Sequence, residues 1–435
     1  MSSDLNRTLT LGPLVLFGLA YMAPMIVLGT FGVLDQDSGG VVPTAYLLAL
    51  VAMLFTAISY GRMSRAFPVA GSAYTYTRRA IDSRVGFLVG WAVLLDYFWL
   101  PTVIWLIGAS YLSTAVPGVP TWLWIVLFIV LTTILNVLGL KLATNVNLLL
   151  MAMQVLVLLF FVILSFTHTS GGLSTMPFWH AGASVSGVAA GAAVAAYSFL
   201  GFDAITTLTE ETLDAKRTVP RAIVLVTIIG GAIFVIASYA TQLVASTVHV
   251  AHPDSAAYEI AGVIGGRLFA AVFLAGLVIT QFASGIAAQA SASRLLYAMG
   301  RDSVLPKRVF AFLSNRFHTP LINIAIIGFV GLIGVFLDIS TAASFINFGA
   351  FTAFTFVNLC VIALAIRRRT LTGARGWLLN LVVPLIGAAV DVWLLTNLDR
   401  QAIIIGACWL VLGVALLAYL TRGFRRPPPE VTFSE

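Results

Sequence analysis

Apolar runs of about 20 residues recur along almost the whole of this 435-residue chain, and that recurrence limits what it can fold into. A helix of that length rises ~1.5 Å per residue and so matches a hydrocarbon core ~30 Å thick. Hydrophobic residues make up 60% of the sequence and charged ones 9%, far from the balance of a soluble core. The fold class expected is an all-α polytopic membrane protein. Polar interruptions and Gly/Pro punctuation predict twelve spans, near 10–34, 43–65, 86–115, 121–140, 145–167, 185–209, 220–247, 266–299, 320–337, 341–366, 377–397 and 401–422.

The charges test this count independently. With both termini in the cytosol, Lys and Arg should crowd into alternate loops. Arg7 falls before span 1, and Arg62, Arg65, Arg78, Arg79 and Arg84 lie around the loop between spans 2 and 3. Lys141, then Lys216, Arg217 and Arg221, occupy the next two cytosolic loops. Arg294, Arg301, Lys307, Arg308 and Arg316 follow span 8, and Arg367, Arg368, Arg369 and Arg375 follow span 10. Arg422, Arg425 and Arg426 close the chain, and only Arg267 and Arg400 fall on the outer side. The formal charge of +7 is thereby explained by topology rather than by a nucleic-acid patch.

Other classes find little support. Cys360 and Cys408 lie inside predicted spans and read as small hydrophobes, and His168, His180, His249, His252 and His318 show no metal-ligand spacing. The polar start Met1 to Asn6 lacks the basic region of a cleavable signal. Loops of about 20 residues leave no room for a soluble domain, and no catalytic constellation marks an enzyme.

Inside the apolar spans two irregularities stand out. Pro24, in Gly18-Leu19-Ala20-Tyr21-Met22-Ala23-Pro24-Met25, removes a backbone donor and disfavours helix at Ala23. Span 6 carries Ser198-Phe199-Leu200-Gly201-Phe202-Asp203, a carboxylate beside a glycine. An ionised side chain at mid-bilayer costs about 2.5 to 3.5 kcal/mol on insertion scales, so Asp203 needs a partner, a proton or a ligand. Breaks in the first span of two successive five-span blocks are the pattern of inverted-repeat transporters that bind substrate near the midplane.

Several motifs now occur in order. They are Phe67-Pro68-Val69-Ala70-Gly71-Ser72-Ala73-Tyr74-Thr75-Tyr76, Gly86 to Gly90-Trp91, Phe199 to Asp203, Glu210-Glu211-Thr212 before Val219-Pro220-Arg221-Ala222, and Arg294 to Pro306. From about residue 10 to 420 the chain resembles the amino acid-polyamine-organocation transporter superfamily. Within it, Gly18 to Met25, Leu94-Leu95-Asp96-Tyr97, Phe202-Asp203 and Ile346-Asn347-Phe348-Gly349-Ala350 look most like the bacterial putrescine importers. The resemblance implies two inverted five-helix repeats, 10–167 and 185–366, followed by two peripheral helices in 377–422, with cytosolic ends at 1–9 and 423–435. It also implies a substrate held between the breaks of helices 1 and 6, walled by helices 3, 8 and 10.

On that frame the expected substrate contacts are Ala23, Pro24, Met25, Asp96, Tyr97, Tyr197, Ser198, Phe199, Gly201, Gln281, Ser284 and Asn347. Asp96 lies ten residues into span 3, about 15 Å deep, so two carboxylates reach the midplane, as a substrate with two ammonium ends would need. A structural, hydrogen-bonded Asp96 is the alternative. In the arginine/agmatine antiporters of the superfamily the acidic residue at the place of Asp203 is associated with proton sensing rather than substrate contact, and proton coupling ranks ahead of substrate contact for Asp203. Tyr97 and Tyr197 occupy gating or lining positions of the family, while Trp99 and Trp105 fit cavity or packing roles. Gln281, Ser284, Ala288 and Ser291 form one small, polar face of span 8, lining the cavity or allowing close helix packing. Gln154 stands where many relatives carry a lysine, which suits a cationic substrate and argues against lysine-dependent coupling. Asp391 is expected at the periphery, snorkelling outward, and Arg425-Arg426-Pro427-Pro428-Pro429 is expected to be disordered. Glu210, Glu211, Arg78 and Arg79, with Lys216, Arg217 and Arg301, are candidates for a cytosolic salt-bridge gate or a solvated loop.

The function expected is proton-coupled import of putrescine or a related aliphatic polyamine across a bacterial inner membrane by alternating access. The alternatives are an amino-acid permease or amino-acid/amine exchanger and, in another class, an amine-sensing receptor on a transporter fold. The expected partners are a small cationic amine or amino acid and the lipid bilayer, without nucleic acid or a required subunit. No cofactor or metal is expected; the proton gradient drives transport, with sodium left open.

Overall fold

The computed structural model describes residues 8–69, 72–138, 144–169, 172–314, 316, 317 and 319–429, with backbone alone for 144–148. Arg7, Ala70, Gly71, Lys141, His318, the terminal segments 1–7 and 430–435, and the side chains of Val146 to Leu148 lie outside the described residues.

Helices occupy the apolar segments of the chain. The first is divided into α1 (Leu11–Met22), α2 (Ile26–Gly29) and α3 (Phe31–Ser38), and α4 follows at Val42–Ala66. Then come α5 (Ser72–Ala80), α6 (Ser83–Ala115), α7 (Thr121–Val137), α8 (Thr144–His168) and α9 (Val185–Ala195). The sixth span continues from α9 as two 3-10 stretches, Ala196–Phe199 and Ala204–Glu211. The remainder comprises α10 (Ala215–Ala245), α11 (Ala256–Arg301), α12 (Lys307–Phe310), α13 (Leu321–Gly331), α14 (Ile339–Arg367), α15 (Gly373–Trp377), α16 (Val383–Thr396) and α17 (Arg400–Leu420). Among the described residues, ten helical stretches are long and apolar enough to cross a membrane, and Thr121–Val137 and Leu321–Phe336 are shorter apolar helices. The chain is a multi-pass helical membrane protein. Its only β-type pairing among those residues is one bridge, Leu9 to Thr212.

Boundaries follow local chemistry. Polar side chains cap several helices: Ser184 Oγ accepts from the Gly187 amide at 3.0 Å, Asp338 from Thr341 at 2.7 Å and Asp399 from Gln401 at 2.8 Å. Such caps satisfy amides that a helix end leaves without partners. Gly266, with φ of 70°, interrupts α11, so its first turns are a separate segment outside the predicted span 266–299. The amphipathic α5 was unforeseen, since its sequence reads as a motif rather than as a span.

The core is built by α4 against α10, α6 against α14 and α11, and α9 against α4 and α3. Gly349 lets α14 approach α6 closely: a Cβ there would lie 2.5 Å from the Ala92 carbonyl oxygen. Large apolar side chains such as Leu149, Leu268, Phe336 and Tyr419 face outward, as expected of lipid-facing surface. Trp91 and Trp409 stack with centroids 4.5 Å apart, and each indole N–H donates to the other's carbonyl at 2.8 Å, fastening α17 to α6.

Two expectations are corrected. Asp391 is fully buried between α16, α4 and α14, where its carboxylate accepts from Thr56 at 2.9 Å and Asn358 at 3.0 Å. The reading of a peripheral, snorkelling residue fails because α16 turns this face inward, which distance from a span end does not reveal. Nor is the start of the tail free: Arg425 and Arg426 donate their amides to the Thr421 carbonyl at 3.0 Å, Arg84 donates to the Phe424 carbonyl at 2.7 Å, and Pro428 is buried. Three prolines look like a linker in isolation, but here they follow turns anchored to α6.

Candidate functional site

Both predicted breaks are present, and they touch. Ala23 adopts a left-handed conformation with φ of 46°, its amide donating to Ala20 rather than continuing α1. Gly201 has φ of 125°, a conformation open essentially to glycine alone, and separates the two 3-10 stretches. A Cβ on Gly201 would lie 2.7 Å from the Tyr21 ring and 3.2 Å from the Met22 amide nitrogen. Glycine is therefore required twice, for its dihedral and for the approach of the opposing backbone.

Around this junction the structure gathers Ala23, Asp96, Tyr97, Tyr197 and Asp203. Asp96 and Asp203 are half-buried and close enough to feel each other's charge; Tyr97 feels both, and Tyr197 feels Asp96. Among the described residues neither carboxylate is paired with Lys or Arg, and Asp96 Oδ1 has no hydrogen-bond partner. The Gly201 amide donates to Asp203 Oδ1 at 3.4 Å, and the amides of Asp203 and Ala204 also face that carboxylate. Asp203 thus turns back onto the amides freed by its own helix break.

Tyr21 is the residue that sequence reasoning missed as a site candidate. It lies within the fields of Tyr97, Asp96 and Asp203, touches Gly201 and is still 46% exposed. The signal was available in its position two residues before Ala23, at the last turn of a breaking helix. On the α1 side of the junction Tyr21 is exposed and Ala23 half-buried, whereas beyond the break Met25, Ile26, Val27, Leu28 and Thr30 are all buried. That sealed side is fastened by Tyr111, donating to the Leu28 carbonyl at 2.7 Å, and by the Tyr46 to Ser198 hydroxyl contact of 3.0 Å.

Other expected residues sit next to the junction rather than in it. Pro24 and Met25 are buried on the closed side, and Ser198 is engaged by Tyr46. Phe199 is fully buried edge-on against Phe234, with centroids 5.2 Å apart. Asn347 is fully buried and donates to the Ala193 carbonyl at 2.6 Å and the Val194 carbonyl at 3.3 Å, tying α14 to the end of α9. On α11, Gln281 is buried with Nε2 3.9 Å from where a Gly29 Cβ would stand; Ser284 is half-buried, Ala288 buried and Ser291 exposed. Trp99 packs on Phe345 at 4.5 Å and Trp105 is fully buried against Gly285 and Gly331, so both are packing residues. Gln154 is buried.

Of the gate candidates, Arg78 donates to the Tyr74 hydroxyl at 3.4 Å and the Arg79 guanidinium lies 5.9 Å from the Phe67 ring centre. Glu211 presents its carbonyl to the Thr8 and Leu9 amides at 2.9 and 3.0 Å, and Glu210 is exposed. Arg217 pairs locally with Asp214 at 3.8 Å and Arg301 with Asp302 at 2.9 Å.

Known proteins match most of this chain's length. The low-affinity putrescine importer PlaP of Escherichia coli (strain K12) is 40% identical, the match covering 98% of this chain and 96% of that protein. The methylthioribose transporter of Bacillus subtilis (strain 168) is 25% identical over 97% of this chain and 95% of its own. Human cationic amino acid transporter 4 is 27% identical over 85% of this chain and 61% of its own. These relatives are transporters rather than enzymes. Residues 11–424 match the amino acid permease family model, and on that match and the 40% identity the chain belongs to the amino acid permease family.

Proposed function

We propose that this protein imports putrescine or a closely related aliphatic polyamine across a bacterial inner membrane, driven by the proton gradient. The observation that carries this is a pair of half-buried carboxylates, Asp203 at the sixth-span break and Asp96 on α6 within its electrostatic reach, with no basic partner among the described residues. Such a pair needs cations, and a diamine or a proton supplies them. Tyr21, Tyr97 and Tyr197 give aromatic faces to an ammonium group, each worth about 0.5 to 2 kcal/mol. Resemblance to the E. coli importer supports the same substrate.

In this reading the architecture is twelve membrane helices, two inverted five-helix repeats at 10–167 and 185–366 and two further helices in 377–422, with both termini cytosolic. The distribution of basic residues supports that orientation. The junction would then be open toward the cytosol on the α1 side and closed toward the exterior at α2. Alternating access would exchange these, with Asp96 holding an ammonium end and Asp203 carrying the coupling proton. Glu210, Glu211, Arg78 and Arg79 would form the cytosolic gate. No cofactor is required.

An amino acid is the second reading, supported by the resemblance to a cationic amino acid transporter. Its carboxylate would need the free amides of the sixth-span break, and Asp203 already faces those of Gly201, Asp203 and Ala204. That arrangement favours an amine. Purified protein in liposomes with an acid-outside gradient should accumulate labelled putrescine, and excess unlabelled diamine should compete where neutral amino acids do not. Binding of putrescine without flux would support the receptor alternative and sink the transporter reading.

A further inference from the structure

A further carboxylate, fully buried, lies outside the junction on helix α16. This is Asp391, whose Oδ2 accepts from both the Thr56 hydroxyl on α4 at 2.9 Å and the Asn358 amide on α14 at 3.0 Å. Asn358 also donates to Thr56 Oγ1 at 3.0 Å, closing a triangle between three helices. Two acceptors in the triangle, Asp391 Oδ1 and Asn358 Oδ1, are buried and have no donor.

The charged and titratable groups nearby do not resolve this. On α4, Arg62 donates to Asn380 Oδ1 instead, and Tyr60 packs edge-on among aromatic rings. On α14, Cys360 is turned to Thr77 at 3.6 Å, and α9, which also packs on α16, carries no titratable residue. An ionised Asp391 would therefore be a buried charge without a counterion, which proteins avoid by neutralising the group.

The geometry points to Asp391, Thr56 and Asn358 as a proton-binding site at the α4–α14–α16 junction, in which Asp391 carries an exchangeable carboxylic-acid proton. The proton converts one surplus acceptor into a donor in a triangle that has too few donors. The site is connected to the transport junction by one turn of helix on each side. Tyr60 follows Thr56, Phe354 precedes Asn358, and the Tyr60 ring packs on Phe354 at 5.8 Å and on Phe202, the neighbour of Asp203, at 5.6 Å. Tyr60 accordingly lies in the fields of both Asp203 and Asp391. Protonation at Asp391 is thus placed to bias the packing behind the sixth-span break.

Infrared spectra of the full-length protein in lipid, recorded from acid to alkaline pH in choline buffer, test the assignment. A protonated-carboxyl C=O band is expected at neutral pH that disappears in Asp391→Asn and at alkaline pH in the wild type. Thr56→Val, which removes one donor and keeps the shape, should shift that band. A wild-type spectrum unchanged by both substitutions would overturn the proposal. So would loss of the band on replacing choline with sodium at constant pH, which would make the triangle a monovalent cation site.

Discussion

Asp96 and Asp203 share one location but differ in what surrounds the carboxylate. Asp203 faces three main-chain amides, while Asp96 keeps an oxygen without a donor. The unpartnered oxygen is the better ammonium ligand, because an incoming N–H donor completes it. Asp96→Asn should raise the apparent KM for putrescine about 10-fold or more, a loss of ~1.5 to 3 kcal/mol for a hydrogen bond to a charged group. Uptake kinetics in liposomes decide this, and an unchanged KM would assign Asp96 the structural role. Gly201→Ala adds a Cβ into the Tyr21 ring at a φ of 125°. Lower thermal stability in detergent, by at least ~1 to 2 kcal/mol, and loss of uptake are expected. Tyr21 stands two residues before Ala23, a position visible in the sequence, but its approach to Gly201, 180 positions later, is visible only in the fold.

Among the elements, α3 shows how the closed side is held. Asp35 accepts from Gln242 of α10 at 2.7 Å and Asp37 from Ser340 of α14 at 2.8 Å, so this short helix clasps two neighbours. Burial raises the pKa of Asp37 above the ordinary carboxylate range, the Ser340 hydrogen bond partly opposes this, and Asp338 and Asp399 add to the rise. The folded protein then binds more protons than the unfolded chain between the ordinary and the raised value, so this group costs stability as pH climbs through that window. Asp37→Asn should flatten the loss of stability above pH ~4, where an unperturbed Asp titrates. Thermal melts at acid and neutral pH would read it; a melt whose pH dependence is unchanged would count against the clasp. Helix α16 teaches a different lesson. A 3.6-residue periodicity marks an apolar stripe, but α16 is apolar nearly all round, so the inward direction of Asp391 was illegible until α4 and α14 were in place.

For the whole molecule, coupling should reside in Asp203. Asp203→Asn keeps a neutral acceptor and removes the exchangeable proton, so accumulation driven by a pH gradient should be lost while exchange of internal for external putrescine persists. Counterflow and gradient-driven uptake in the same liposomes distinguish the two, and wild-type accumulation in the mutant would reject the role.

Sequence alone determined the apolar segments, their approximate ends and the two break points, because each depends on local chemistry: the length of an apolar run, the missing amide of Pro24 and the freedom of Gly201. Tertiary structure alone decided which side chains meet. Phe199 and Asn347, expected as substrate contacts, meet Phe234 of α10 and the Ala193 carbonyl of α9, Asp391 moved from the edge to the interior, and the tail acquired an anchor. A helix can direct the same side chain to lipid, to a neighbour or to a cavity at similar local cost, and only the packing of distant segments selects among them.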